Sequence, residues 1–325
     1  MHIPEILRED VRQFLQTHHF DLYIGNPFSA AFFPSGSDPL IVTRANYSDL
    51  PKFKGSMKNS GASILAFGAG SVFDPAKYIA SVTNSHLTII PSALSVNSFT
   101  THRGSFFDGH SKKSINTITP NVIVLDFDLL KGAGILNTLG IVELASTATA
   151  QVDWSLAAEE GLEREDVHIR ERSNVLIEKT IDLLKNCDTI SERLEELFEG
   201  LFESGLLTQA YGSGRPVSGS EHTISSYIEN QIECAHGAGL YIGILIAVAL
   251  QKLRGKETRE VKLVANYLWK NNLIREHIKK QFDKKVIEHI LSIVRPQEGK
   301  YTIIDDCHPE VFRLTAQKVC DKLFE

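Results

Sequence analysis

Long runs of any single kind of residue are what this 325-residue chain lacks. Cysteine is scarce. The four present (Cys187, Cys234, Cys307 and Cys320) show no close metal-ligand spacing. With no secretion signal beside them, they read as reduced thiols of the cytosol. The start, Met1-His2-Ile3-Pro4-Glu5, has neither the basic residues nor the apolar core of a signal peptide. The longest apolar stretch, Leu240 to Leu250, is broken by Gly243 and is too short to span a bilayer. Basic runs are missing too: Lys112-Lys113 and Lys279-Lys280 are only pairs, and the formal net charge is −6, which argues against nucleic acid as the main partner. Internal repeats and low-complexity segments are absent. What is present is ordinary globular material, 42% hydrophobic, enough for one large core or two medium ones.

The pattern divides the chain near residue 130. Glu5 to His18 reads as a helix, with Ile6, Leu7, Val11 and Phe14 near helical spacing. Short apolar segments then read as strands: Asp21 to Gly25, Pro39 to Thr43, Ser63 to Phe67, Leu87 to Ile90 and Val122 to Leu125. Strands separated by helices imply a mostly parallel sheet. From about Lys131 helical patterns dominate, at 144–159, 170–184, 191–211, 223–232, 237–253, 258–271 and 273–295. One more strand, Lys300 to Ile304, is expected near the end. The fold class is α/β: an N-terminal parallel-sheet domain, residues 1–130, and a mainly helical C-terminal domain, 131–325.

Two segments carry candidate chemistry. In the first, Ser63 to Phe67 is followed by Gly68-Ala69-Gly70-Ser71 and then a helical pattern. A strand–turn–helix with small residues lets backbone amides approach a pyrophosphate, and the helix dipole favours the anion. In the second, Arg215-Pro216-Val217-Ser218-Gly219-Ser220-Glu221-His222 precedes Ala235-His236-Gly237. The two imidazoles stand fourteen residues apart, each leading into a helical pattern. Neutral imidazole is the commonest protein ligand for zinc or iron. By spacing alone, one histidine capping a helix and another in a turn would explain the pattern as well.

The flanking residues add a resemblance. Ser204-Gly205-Leu206 through Gly214-Arg215-Pro216 to Ser220-Glu221-His222 resembles the metal-binding segment of the glycerol-1-phosphate dehydrogenases. These belong to the superfamily of iron-containing alcohol dehydrogenases, glycerol dehydrogenase and 3-dehydroquinate synthase. The resemblance implies that His222 and His236 bind a divalent metal. It gives the third, carboxylate ligand to Glu143, in Gly140-Ile141-Val142-Glu143, ten residues before Asp153-Trp154. Dehydrogenases of the family carry Asp there, and the synthase branch carries Glu. Gly68 to Lys77 resembles the family's glycine loop, which assigns Gly68, Ala69, Gly70, Ser71 and Asp74 to the cofactor. Pro91-Ser92-Ala93-Leu94-Ser95-Val96-Asn97 resembles a third family segment. There Ser92 and Ser95 match the hydroxyls that lie along the cofactor, and Asn97 stands in place of an Asp near the substrate.

These matches imply a dehydroquinate synthase-like fold with NAD or NADP and one divalent metal, zinc or iron. The expected reaction is hydride transfer between the nicotinamide and a small hydroxyketone or polyol, possibly phosphorylated, with Asn97, Glu143, His222 and His236 as the catalytic group. A sugar-phosphate cyclase and a degenerate member without activity are the alternatives. Glu143 favours the cyclase. Ser226, where that branch has a second His, opposes it. A family Lys four residues past the carboxylate ligand is Thr147 here, which leaves water, the substrate, His102 or His110 to relay protons. The adenosine-holding part is reduced, since about 19 residues separate Thr43 from Ser63. Arg44, where relatives carry Asp or Gly, would suit the 2′-phosphate of NADP. The expected partners are a small-molecule substrate and a second copy of the chain in a homodimer, with neither nucleic acid nor a membrane. The expected location is the cytoplasm.

Overall fold

The computed structural model describes residues 2–57, 60–109 and 111–325, and of 187–189 the backbone only. The chain divides into two compact units, Met1–Asn137 with Ser191–Gln209, and Thr138–Ile190 with Ala210–Glu325.

The first unit is built on a parallel sheet of β1 (Glu5–Arg8), β2 (Leu22–Gly25), β3 (Leu40–Ile41), β4 (Ser63–Gly68), β5 (His86–Pro91) and β8 (Val122–Leu125). Across the sheet the order is β1-β8-β5-β4-β2-β3. The inner strands are apolar on both faces: Ile64, Leu65, Ala66, Phe67, Ile89, Ile90, Ile123 and Val124 are all fully buried. Continuous apolar runs are what a sheet covered on both sides requires. One covering is α1 (Val11–Thr17), whose Val11, Phe14 and Leu15 pack on Leu65, Phe67, Ile90 and Val124. Helix α2 (Leu50–Gly55) precedes β4 and α4 (Phe127–Lys131) follows β8, while α3 (Gly70–Thr83) follows β4 and ends at Asn84, which takes the left-handed conformation that Asn tolerates.

Three expectations fail for identifiable reasons. Residues 5–18 are not one helix. Asp10 interrupts them, its side chain capping α1 by accepting from Gln13 N, and the residues before it pair with β8 as an edge strand. Local spacing could not reveal a partner more than a hundred residues away. Lys300 to Ile304 is not a strand: Lys300 makes only an isolated bridge with Gln297, and the chain turns from Ile303 as the Asp305 carboxylate accepts from both the amide and the hydroxyl of Thr302. The helix expected over 273–295 is two, α11 (Asn272–Gln281) and α12 (Lys284–Ser292). Asp283 caps the second. Sequence periodicity also missed the hairpin of β6 (Arg103–Asp108) and β7 (Ser111–Asn116), whose residues are largely polar.

The second unit is helical. Its axis is α5 (Ile135–Glu159), buried on nearly all sides from Leu139 to Ala157. Such a helix sits in a core rather than on a surface. Helices α6 (Val167–Lys185), α8 (Ser220–Gln231), α9 (His236–Leu253) and α10 (Arg259–Lys270) belong to it, as does α13 (Pro309–Phe324). α9 is the one helix among the described residues long and apolar enough to cross a membrane, and 78% of it is buried inside the protein.

Helix α7 (Leu194–Tyr211) contributes its first sixteen residues to the first unit. There Gly205 meets the loop after β5 so closely that an added Cβ would lie 1.7 Å from Thr100 Oγ1. Overpacking a tight site costs about 1–3 kcal/mol or more. Gly205→Ala is therefore expected to lower the unfolding free energy read from urea titration by a comparable amount, and the midpoint with it. An unchanged midpoint would show that Thr100 turns aside freely.

Candidate metal centre and glycine loop

Three elements of the second unit bring Glu143, His222 and His236 together. Glu143 projects from α5, His222 from the first turn of α8, and His236 opens α9. One ligand atom from each lies within 4.8 Å of the others. Glu143 Oε2 is 3.1 Å from His236 Nε2 and 3.7 Å from His222 Nε2. The two imidazole centroids are 5.4 Å apart. Glu143 is buried, and the two histidines are each about one-fifth exposed.

The outer nitrogens explain what the inner ones present. His222 Nδ1 is 2.9 Å from Glu221 Oε1, and His236 Nδ1 is 2.8 Å from Glu229 Oε1. Both carboxylates are buried. Glu221 is held by Gly219 N and the Thr149 hydroxyl, Glu229 by the Ser225 hydroxyl. A carboxylate at Nδ1 keeps the proton there, so each Nε2 offers its lone pair to the centre. Two lone pairs and a carboxylate then face one another, and the buried Glu143 Oε2 receives no aligned hydrogen bond. This arrangement fits a cation. Without one, burial alone would lower the affinity of His222 for a proton, yet Glu143 and Glu221 outweigh it and hold its pKa above the ordinary value. Glu143 is correspondingly held below the usual carboxylate range by the two imidazoles, against the effect of burial.

A further layer surrounds Glu221. Asp153, fully buried, accepts from Ser220 N at 2.6 Å and Ile303 N at 2.9 Å. Burial and the nearby Glu221 push its pKa up to about 6. Lys300 donates to Ser218 Oγ at 2.8 Å, and burial brings its pKa down to about 8 despite the attraction of Glu221. Sequence reasoning assigned no role to Glu221, Glu229 or Lys300. Glu221 adjoins His222 and could have been found. Glu229 stands seven residues before His236 across a helix break, and no spacing rule points to it.

The approach of α8 to α9 makes this geometry possible. A Cβ on Gly243 would lie 2.3 Å from the Glu221 carbonyl oxygen, and one on Gly239 would lie 3.0 Å from Ser225 Oγ. Gly237 similarly abuts the Leu139 carbonyl at 2.5 Å.

In the first unit, Ala69 caps α3 without any side-chain acceptor, so the Gly70 and Ser71 end of the helix has no side-chain cap. Ser92 N donates to Gly68 O at 2.7 Å, which ties the turn after β5 to the glycine loop. Ser95 is buried and Ser92 half-buried beside it. Asp74 faces inward, 3.0 Å from the fully buried Lys77. Lys77 in turn donates to the carbonyls of Ser98 and Arg103. Asn97 donates to Ser204 Oγ at 2.8 Å. Gly68, Ala69, Gly70, Ser71, Ser92, Ser95 and Asn97 thus gather at the carboxyl ends of β4 and β5, while Asp74 is occupied by Lys77. His102 is half-buried, and its pKa is lowered by burial and by Arg103 and Lys77. His110 lies outside the described residues. Cys307 and Cys320 are free thiols.

Residues 18–133 match the family model of iron-containing alcohol dehydrogenase. The solved structure of a probable glycerol dehydrogenase from Sinorhizobium meliloti superposes with a TM-score of 0.70, covering 98% of each chain at 12% identity. An iron-containing alcohol dehydrogenase from Thermotoga maritima gives 0.69, again over 98% of each chain, at 11% identity. The fold is that of the iron-containing alcohol dehydrogenases. Among sequence relatives, the glycerol-1-phosphate dehydrogenase [NAD(P)+] of Methanocorpusculum labreanum is 24% identical over 291 residues, 88% of this chain and 78% of that one. The dehydrogenase fold accounts for the parallel sheet and the helical unit alike.

Two measurements test the two halves of the site. His222→Ala should leave too few ligands to retain metal through purification, and Glu229→Gln should weaken zinc binding about 10- to 100-fold by releasing His236. Elemental analysis showing full occupancy in both variants would remove the trio from consideration. Gly70→Val would press on Val96, already 3.2 Å from the position of an added Cβ, and obstruct the helix end. Calorimetry should then find nucleotide affinity lost while circular dichroism is retained. Equal affinity in wild type and variant would make the loop a structural turn only.

Proposed function

We propose that this chain is a metal-dependent, NAD(P)-linked dehydrogenase of a small hydroxyketone or polyol, phosphorylated in the manner of glycerol 1-phosphate. The observation that carries the reading is the convergence of Glu143, His222 and His236 with both outer imidazole nitrogens locked by buried carboxylates. The glycine loop and the likeness to glycerol-1-phosphate dehydrogenases support it.

Glu143, His222 and His236 would hold one zinc or iron ion, one anionic and two neutral ligands with positions left open for substrate. When bound, the metal polarises the substrate oxygen and the nicotinamide supplies or accepts the hydride. Glu221 and Glu229 keep each Nδ1 protonated and each imidazole in place. Gly68, Ala69, Gly70 and Ser71 would receive the pyrophosphate on the amides of the α3 terminus, and Ser92 and Ser95 would line the cofactor. Asn97 keeps hydrogen-bonding capacity for substrate but has no charge with which to act as a base. Thr147, fully buried in α5, supplies no base either. Proton transfer then falls to water or the substrate's own hydroxyls. A homodimer in the cytoplasm, bound to neither nucleic acid nor membrane, belongs to the same reading.

Glu143 in place of Asp favours one other reaction, the sugar-phosphate cyclisation of the synthase branch. One experiment separates them. Metal-loaded protein is mixed with NAD(P)H and phosphorylated hydroxyketones, and reduced cofactor and free phosphate are followed together. A dehydrogenase consumes reduced cofactor in step with substrate and releases no phosphate. Phosphate release with no net oxidation would overturn the dehydrogenase reading, and silence in both channels across a broad panel would mark a member that keeps the fold without the reaction.

A further inference from the structure

We infer that Lys300 is a positioning residue of the metal centre: together with Asp153 it clamps the loop that leads into α8 against α5, and so fixes where His222 stands. The inference rests on the metal site proposed above and names what holds that site in shape.

The loop, residues 215–220, is bound on one side to the helix that carries Glu143. Positions 143, 146, 149 and 153 of α5 run down one face, because residues three and four apart on a helix are neighbours. Glu143 stands at the top of that face. Below it the Ser146 hydroxyl donates to Val217 O at 3.1 Å, and the Thr149 hydroxyl donates to Glu221 at 2.9 Å. Asp153 accepts from Ser220 N at 2.6 Å. Beside the same face, Gln151 donates to Pro216 O at 2.6 Å. A Cβ on Gly219 would find no room between Asp153, Glu221 and Ala150. The loop thus lies directly on α5, and its bond to Asp153 falls two residues before His222.

Residues 300–303 hold the loop from the other side. Lys300 Nζ donates to Ser218 Oγ at 2.8 Å, and Arg215 donates to Tyr301 O at 2.8 Å. Asp153 reaches Ile303 N at 2.9 Å with its second oxygen, so one carboxylate binds the loop and the covering segment together. The far end of that segment is tied by Arg254 to Asp306 at 2.7 Å. Charge makes Lys300 the critical member. Asp153 and Glu221 are both fully buried, and two buried carboxylates at one loop repel each other unless a cation faces them. Arg215 is engaged with Glu163 at 3.1 Å and with Tyr301 O. Lys300 is drawn to Asp153 and Glu221 alike, and it also bonds the loop between them. Removing it would leave the two carboxylates to push the loop off α5, and His222 would move with the start of α8.

The test uses the full-length protein and two readouts. Zinc affinity is measured by competition with a chromogenic chelator. The visible absorption of the cobalt(II)-loaded protein reports how the ligands stand around the ion. Lys300→Met should weaken zinc binding about tenfold, the lower end of what losing an outer partner of a metal ligand costs, and should alter the cobalt bands while circular dichroism is retained. Ser218→Ala should act in the same direction and less strongly. The double variant should bind zinc no more weakly than Lys300→Met alone, because both changes break one bond. Wild-type zinc affinity and cobalt bands in Lys300→Met, even with a lowered melting temperature, overturn the clamp and leave the metal trio standing. Losses that add in the double variant overturn it as well. Should Lys300→Met fail to fold, Ser218→Ala decides, and unchanged zinc affinity there overturns the clamp. Wild type that binds no zinc overturns the metal centre itself, and the clamp with it.

Discussion

Two helices that touch backbone to backbone govern the second unit. α8 and α9 approach so closely at Gly243 that the Glu221 carbonyl occupies the space any side chain would need. That contact sets where α8 begins relative to α9, and His222 and His236 sit at those two beginnings. The same contact places Glu221 where it serves both partners. Its carbonyl lies against α9, and its carboxylate takes His222 Nδ1 and the Thr149 hydroxyl. Packing and site chemistry here share atoms, so neither can drift without the other.

Buried charge follows from that arrangement. Asp153, Glu143, Glu221 and Glu229 lie in the interior of one unit. Isolated carboxylates would not stay ionised there. They are satisfied in different ways: Asp153 by two amides, Glu221 by an amide, a hydroxyl and an imidazole, Glu229 by a hydroxyl and an imidazole, with Lys300 and Arg215 adding positive charge nearby. Glu143 stands apart: among the described residues, only the two inner nitrogens form ion pairs with its carboxylate.

Local signals carried much of this into the sequence, and long-range ones did not. Strands β2, β4, β5 and β8 were legible because buried parallel strands are short, continuous and apolar. The glycine loop was legible because small residues between a strand and a helix have few other uses. The convergence of Glu143, His222 and His236 was foreseen through motif likeness, since Glu143 lies 79 residues before His222 and nothing in its own surroundings marks it. β1 escaped because an edge strand of four residues, three of them exposed, differs little from an amphipathic turn of helix. The β6–β7 hairpin escaped because its polar residues answer to cross-strand partners rather than to a core. Glu229 and Lys300 were invisible because the helix break at 232–235 and the turns at 300–305 decide what they reach.

The first unit is not a continuous piece of chain. Its sheet is complete by Leu125, but the wall that Gly205 forms against Thr100, and that Phe198 forms against Phe99, arrives only with residues 191–209. During synthesis the sheet must wait while some fifty residues of the other unit are made. A fragment cut after Asn137 would present Phe99 and Thr100 to water. The unit that would hold the nucleotide is thus joined to the unit that would hold the metal by the route of the chain itself, which leaves and returns. Neither can be lost, duplicated or exchanged by a single cut in the gene, and the two must be inherited together.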